Sequence, residues 1–181
     1  MLEIKEVKTK ADMRKFVDFP FRLYKGERNY VPSFRSDEIG MLDPAKNPSL
    51  ADCSVRCWLA YKDGKLAGRV AGIIQKKYNS ISGRKCIRFS RFDCIDDQSV
   101  ANALLAEVER YGRAEGMDTM HGPWGFNDQD REGLLTYGFD RRATYATNYN
   151  YEYYEELVRA AGFADESEWL EYDFVIPEKT D

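Results

Sequence analysis

Asp93 stands inside the run Cys86–Ile95, Cys-Ile-Arg-Phe-Ser-Arg-Phe-Asp-Cys-Ile. The run reads as a β-strand, and an aspartate is unfavourable within one. It is therefore either salt-bridged or solvent-facing, or it is a general base whose pKa burial has raised. Alternation puts Phe92 and Cys94 on one face of the strand and Arg91 with Asp93 on the other. His121, the single histidine, closes the short apolar run Met117–His121 and abuts Gly122-Pro123. A histidine there is a hydrogen-bonded structural group or a base working near neutral pH. Tyr151, Tyr153 and Tyr154 form a third cluster, which reads as aromatic packing against the sheet.

Other chemistries are excluded. The acidic loop Asn127, Asp128, Asp130, Glu132 superficially has calcium-loop spacing, but Gln129 and Arg131 occupy ligand positions and the glycine is displaced. Cys53, Cys57, Cys86 and Cys94 form no C-x-x-C pair, and one histidine cannot complete a typical zinc site. They read as reduced, packed thiols. Lys76-Lys77, Arg84-Lys85 and Arg141-Arg142 are basic pairs of the length usual on a surface, though any could meet a phosphate. No P-loop, dinucleotide fingerprint or nucleophile elbow occurs. A net charge of -4 argues against a dedicated nucleic-acid partner. No apolar run approaches the roughly 20 residues of a membrane helix. Met1–Val7 alternates charge and has no signal-peptide core. The expectation is a cytoplasmic protein without membrane partners.

The elements that must position these residues follow from periodicity. The 181 residues, 43% apolar and 32% charged, suffice for one domain with a substantial core. Residues 1–8 hold a first strand, with Leu2 and Ile4 on one face. Residues 9–50 are a helical segment and loop. Thr9 caps a helix with Asp12 in the capping-box position, and Pro20 bends or ends it. The stretch 27–50, with Pro32, Pro44 and Pro48, is irregular apart from a short helix near 36–41. It either walls a cleft or covers the core. Residues 55–95 form an antiparallel meander. Val55–Lys62 and Lys65–Lys77 are joined at Asp63-Gly64, a strong hairpin turn. The third strand, Cys86–Ile95, follows a turn at 80–84. Residues 96–122 give a central helix and a parallel strand. Val100, Leu104, Val108 and Tyr111 mark one helical face, and Gly116 stops the helix. Residues 123–177 comprise a polar loop with a helical turn, a short strand near 144–149, a late helix from Tyr151 to Ala161, and a last strand at Glu168–Ile176. The fold class is α/β, a mixed, mostly antiparallel sheet flanked by helices, in a single domain over 1–181.

This element order resembles the GNAT (GCN5-related N-acetyltransferase) fold over nearly the whole chain. Asp63–Gly72 resembles that family's D-G-x-x-V-G hairpin. Leu104–Met117 resembles its central helix, and Tyr154-Glu-Glu-Leu-Val-Arg-Ala-Ala-Gly-Phe163 its late helix ending in Gly-Phe. Phe19–Gly26, Asn29–Pro32, Cys94–Asp97 and Gly122–Phe126 further resemble a poorly characterised bacterial GNAT-like group, whose members often run on into a second half. The resemblance implies an N-acyltransferase moving an acyl group from acetyl-CoA, or another acyl-CoA, to a small-molecule or peptide amine. It implies Asp93 or His121 as the base and Tyr154 as the acid. It implies backbone contacts to the cofactor from Phe92, Cys94 and Ile95, and from Gln98, Ser99 and Val100 at the helix start. A non-catalytic ligand- or partner-binding module, or the N-terminal half of a two-lobed protein for which a homodimer could substitute, are the alternatives.

Two departures bear on that choice. Where the family carries R/Q-x-x-G-x-G/A, this chain has Ile95-Asp-Asp-Gln-Ser-Val-Ala101, with two carboxylates and no glycine or arginine. Two unit charges about 4 Å apart at an effective dielectric near 20 interact by about 4 kcal/mol, so these carboxylates would repel a pyrophosphate. The position four residues before the hallmark glycine holds Val158 rather than tyrosine, and Tyr154 lies one turn earlier.

Overall fold

A computed structural model describes residues 1–172 and 174–176. It has a five-stranded sheet in the order β1 (Leu2–Glu6), β2 (Cys53–Lys62), β3 (Lys65–Gln75), β4 (Cys86–Cys94), β5 (Thr119–His121). The first four strands pair antiparallel and β5 joins β4 parallel, the mixed, mostly antiparallel sheet expected of a GNAT fold. The β2–β3 hairpin closes at Asp63 and Gly64, both with positive φ (50° and 76°), the backbone an Asp-Gly turn supplies without distorting the strand twist.

Helices cover both faces. α1 (Lys10–Leu23) begins at Thr9, whose side chain accepts from the Asp12 amide while Asp12 reaches back to the Thr9 amide. Pro20 neither ends nor truncates it; the helix continues to Leu23. Phe16 and Val17 pack on Cys57, Leu59 and Ala71, and α2 (Arg35–Met41) lies beside them. On the opposite face, α4 (Gln98–Ala114) buries Val100, Leu104, Val108 and Tyr111 against Trp58, Val70 and Phe89. Fully burying one such side chain contributes about 1.5–3 kcal/mol. Gly112 brings α4 close: a Cβ there would lie 2.7 Å from Ile87. α5 (Tyr153–Ala160) packs beside α4 with Tyr154, Leu157 and Val158 inward.

Several expected elements differ. Strand β3 ends at Gln75, whose side chain caps a short helix α3 (Lys76–Ser82) where a strand end and turn were expected. The loop 123–150 contains neither the helical turn nor the short strand expected of it. The expected last strand, 168–176, is absent among its described residues (168–172 and 174–176); Asp173 and 177–181 lie outside them. Its apolar side chains Trp169, Leu170, Tyr172, Phe174, Val175 and Ile176 are exposed. Alternation shows that a segment suits a sheet face, but a strand also needs a neighbour to bond.

Two irregularities shape β4. Arg69 faces Asp93 and Ala71 faces Ser90, so Arg91 and Phe92 together oppose Val70. This is a β-bulge, and Arg91 takes the positive φ of 48° that it imposes. On the other edge, β5 pairs only with Cys86–Arg88, and the Trp124 amide then bonds Phe89 O at 2.9 Å. Beyond that point β4 and β5 diverge, and the tyrosines of α5 meet the freed edge.

Candidate active site

The bulge sets Asp93 into a buried polar cluster. Arg69 Nε donates to Asp93 Oδ2 at 2.7 Å, and Tyr24 Oη donates to Oδ1 at 3.0 Å. Asp93 is 8% exposed, Arg69 7% and Tyr24 3%, so the ion pair is largely dry. Arg69 Nη1 also donates to Phe16 O at 3.0 Å, which ties the cluster to α1. The Tyr24 and Tyr154 hydroxyls are 3.1 Å apart. A carboxylate only accepts, so the single Tyr24 proton goes to Asp93 and Tyr154 donates to Tyr24. Tyr154 Oη in turn accepts the Cys94 N–H at 3.0 Å, and Tyr153 Oη donates to Cys94 O at 2.8 Å. Asp93, Tyr24 and Tyr154 thus form a continuous hydrogen-bonded line ending on the free edge of β4.

The surroundings keep the line protonated at its phenols. Burial first, and then the charge of Asp93, push Tyr24 well above the usual phenol range; burial and the Tyr24 phenol do the same to Tyr154. Tyr30 stacks on Tyr24 with centroids 4.4 Å apart and is pushed up to about 12, mainly by burial. Tyr149 and Tyr151 extend this wall, 5.8 and 5.0 Å from Tyr24. Glu38 of α2 pairs with Arg91 at 2.9 Å. Burial would raise the Glu38 carboxyl, but Arg91 and then Arg69 outweigh it and hold it low.

The residues singled out from the sequence separate here. Asp93 and Tyr154 come together, bridged by Tyr24. His121 stands apart: it pairs with Arg88 in the sheet, five residues from Asp93 along β4, or roughly 16 Å at strand rise. Its Nδ1 meets Glu166 instead. The expected cofactor contacts are mostly engaged within the chain. The Cys94 amide is held by Tyr154, and the Ile95 amide donates to Ala67 O at 2.9 Å. Phe92 sits in the core, edge-on to Tyr154. Gln98 Nε2 donates to Leu157 O and Asn102. Ser99 and Val100 donate their amides to Asp97 Oδ1 at 3.0 and 3.2 Å, and the other Asp97 oxygen meets Lys62. The N-terminus of α4 is thereby closed by its own cap, and its residues do not fit a pyrophosphate.

Lys62 and then Ser99 hold the Asp97 carboxyl at about 2, below the roughly 3.9 of an unfolded aspartate. A depressed folded pKa stabilises above the unfolded value, so this contribution is complete above about pH 4 and lost as pH falls through about 2. Asp97→Ala is expected to cost about 1 kcal/mol at neutral pH. In urea unfolding, the gap between variant and wild type should shrink towards pH 2.

All four cysteines are buried and free. Burial raises every thiol, Cys57 to about 12, as expected of packed, unreactive groups. Tyr24, Tyr30, Arg69, Glu38 and Arg91 were not singled out as site residues. One clue was available: Arg69 interrupts the run Leu66–Ile74, whose other members are small or apolar, and a buried arginine requires a carboxylate.

No family model matches the chain. It is 31% identical over 131 residues to protein YghO of Escherichia coli K12, covering 72% of this chain and 33% of that protein. It is 28% identical over 172 residues to a bacterial ceramide synthase of Caulobacter vibrioides, covering 94% and 45%. The chain thus spans a third to under half the length of these curated relatives. Among solved structures it is similar to aminoglycoside N-acetyltransferase AAC(6')-Iy in complex with a bisubstrate analogue (TM-score 0.55, 14% identity, 97% of this chain and 99% of that one). It is also similar to a predicted acetyltransferase with acetyl-CoA from Clostridium acetobutylicum (TM-score 0.55, 11% identity, 96% of each). At these identities the likeness shows the fold, which is that of the GNAT acetyltransferases.

Proposed function

We propose that this chain is an N-acyltransferase domain that moves an acyl group from a thioester to an amine. The observation that carries the reading is the line Asp93–Tyr24–Tyr154, which joins a buried carboxylate to the β4 edge. Attack of an amine nitrogen on a thioester carbonyl forms the amide bond and breaks the C–S bond. One proton must then pass from nitrogen to the departing thiolate. Asp93 is the acceptor for that proton and Tyr154 the donor to sulfur. Tyr24 links them, so that a proton taken at one end is replaced at the other. Arg69 orients Asp93 through the 2.7 Å Nε–Oδ2 contact. The tyrosine wall of Tyr30, Tyr149 and Tyr151 offers an apolar, π-rich approach for the acceptor. One relative's name, ceramide synthase, points the same way, because ceramide is an amide of a long-chain amino alcohol.

Coenzyme A would supply the thioester. Its nucleotide end finds no cradle at α4, so no step here runs through its phosphates. Cys94 N–H is the edge donor available to an acyl carbonyl once Tyr154 yields it. The same closures favour a second reading, a non-catalytic module of a two-lobed protein. That reading also suits a chain that spans only part of its relatives.

The test is a thermal-shift titration with acetyl-CoA, desulfo-CoA and long-chain acyl-CoAs, paired with thiol release in the presence of long-chain amines and amino sugars. Saturable stabilisation with amine-dependent thiol release is the expected result. Absence of both up to millimolar thioester would overturn the enzyme reading in favour of the module.

A further inference from the structure

We propose that Arg88 and Trp124 form a binding site for a small oxyanion, a carboxylate or phosphate group, separate from the Asp93 cluster. Arg88 lies on β4 and is 3% exposed. By contrast, Arg69 beside α1 and Arg91 beside α2 each meet a carboxylate, at 2.7 and 2.9 Å. Arg88 forms no ion pair among the described residues. Its Nη1 donates to the carbonyls of Gly125 and Phe126 at 3.0 and 3.2 Å. Its Nε and Nη2 find no acceptor among the described residues. That edge of the guanidinium carries two parallel N–H groups, the arrangement that grips a carboxylate or phosphate two-pronged.

The walls of the site are aromatic. The guanidinium stacks over Trp124 at 3.5 Å from the ring centroid and over Tyr78 at 4.7 Å. Trp124 Nε1 is the one buried side-chain polar atom without a partner among the described residues. One stack therefore presents a buried indole N–H without an acceptor beside a guanidinium edge, Nε and Nη2, that makes no hydrogen bond among the described residues. Buried donors are nearly always satisfied, and an exception calls for a ligand or ordered solvent. A buried charge without a counter-charge is unfavourable, so the missing acceptor should be anionic. Glu132 is near enough to act on Arg88 through space, but it makes no ion pair with it.

The test uses the intact chain titrated with acetate, succinate and inorganic phosphate, each against sodium chloride at matched ionic strength. Thermal shift and tryptophan fluorescence are the readouts. The proposal expects saturable stabilisation by at least one oxyanion, a fluorescence change from Trp124, and loss of the response in Arg88→Met. Succinate or acetate acting alone would assign a carboxylate ligand, and phosphate acting alone a phosphate. Trp124→Phe keeps the ring and removes the donor, and should weaken the response several-fold. It decides the matter if Arg88→Met fails to fold. Oxyanions that act no differently from chloride, or a Trp124→Phe chain that titrates like wild type, would overturn the site. The outcome is independent of thioester binding, so it stands or falls apart from the acyltransferase reading.

Discussion

Replacing Arg69 by methionine is expected to cost about 3–5 kcal/mol of stability, the usual penalty for stranding one member of a buried ion pair. Methionine fills much of the same volume, so the loss measures charge and hydrogen bonding more than a cavity. Asp93 would keep only Tyr24 as a partner, and Phe16 O would lose the Nη1 donor at 3.0 Å. The guanidinium's position over the Phe16 ring, 5.0 Å from its centroid, would also be lost. Urea unfolding at neutral pH reads the effect directly. Arg69→Met with Asp93→Leu should recover much of the loss, since apolar residues of similar size commonly replace buried pairs at little cost. A single-variant loss under about 1 kcal/mol would mean that Asp93 is hydrated rather than held dry.

The second large effect concerns turnover. If Asp93 takes the amine proton, Asp93→Asn should lower kcat by about 10²–10⁴-fold, the range for removing a positioned acid or base. The amide keeps the shape of the carboxylate but has one acceptor oxygen for Tyr24 and Arg69 and leaves Arg69 without its counter-charge, so kcat is compared under conditions where urea unfolding shows the variant folded. A parallel Tyr24→Phe variant separates the relay from simple packing. The ring would still stack on Tyr30, but the Asp93–Tyr154 connection would be cut. Loss of kcat with unchanged unfolding would mark the hydroxyl as part of the chemistry. Wild-type turnover in Asp93→Asn would remove Asp93 from the mechanism and leave it as Arg69's counter-charge.

Much of the scaffold was legible because its signals are local. The Asp63-Gly64 turn needs positive φ at both positions, and both have it. The Thr9–Asp12 capping box is set by residues three apart. The apolar face of α4 repeats at helical spacing and is buried as that spacing implies. The closed N-terminus of α4 also followed from local chemistry, since Asp97 sits at the capping position and nothing near it is a glycine. Asp93 drew notice as a carboxylate inside a strand, and Tyr154 as the tyrosine one turn before the motif position that Val158 holds.

The meeting of these groups belongs to the tertiary structure. Tyr24 ends a helix before the meander, Asp93 lies on a bulged strand, and Tyr154 begins a helix 130 positions after Tyr24. Periodicity states which face of each element is buried, but it does not say which polar tips converge when faces pack. The bulge at Arg91 depends on how β3 and β4 register, and it decides where Asp93 lies relative to Arg69. His121 shows the converse, a chemically apt residue that strand register holds roughly 16 Å along the strand from Asp93. The alternating segment 168–176 makes the same point for secondary structure. Its side chains suit a sheet, yet its described residues form no strand, because hydrogen bonds to a neighbouring strand are supplied by the fold and not by the segment.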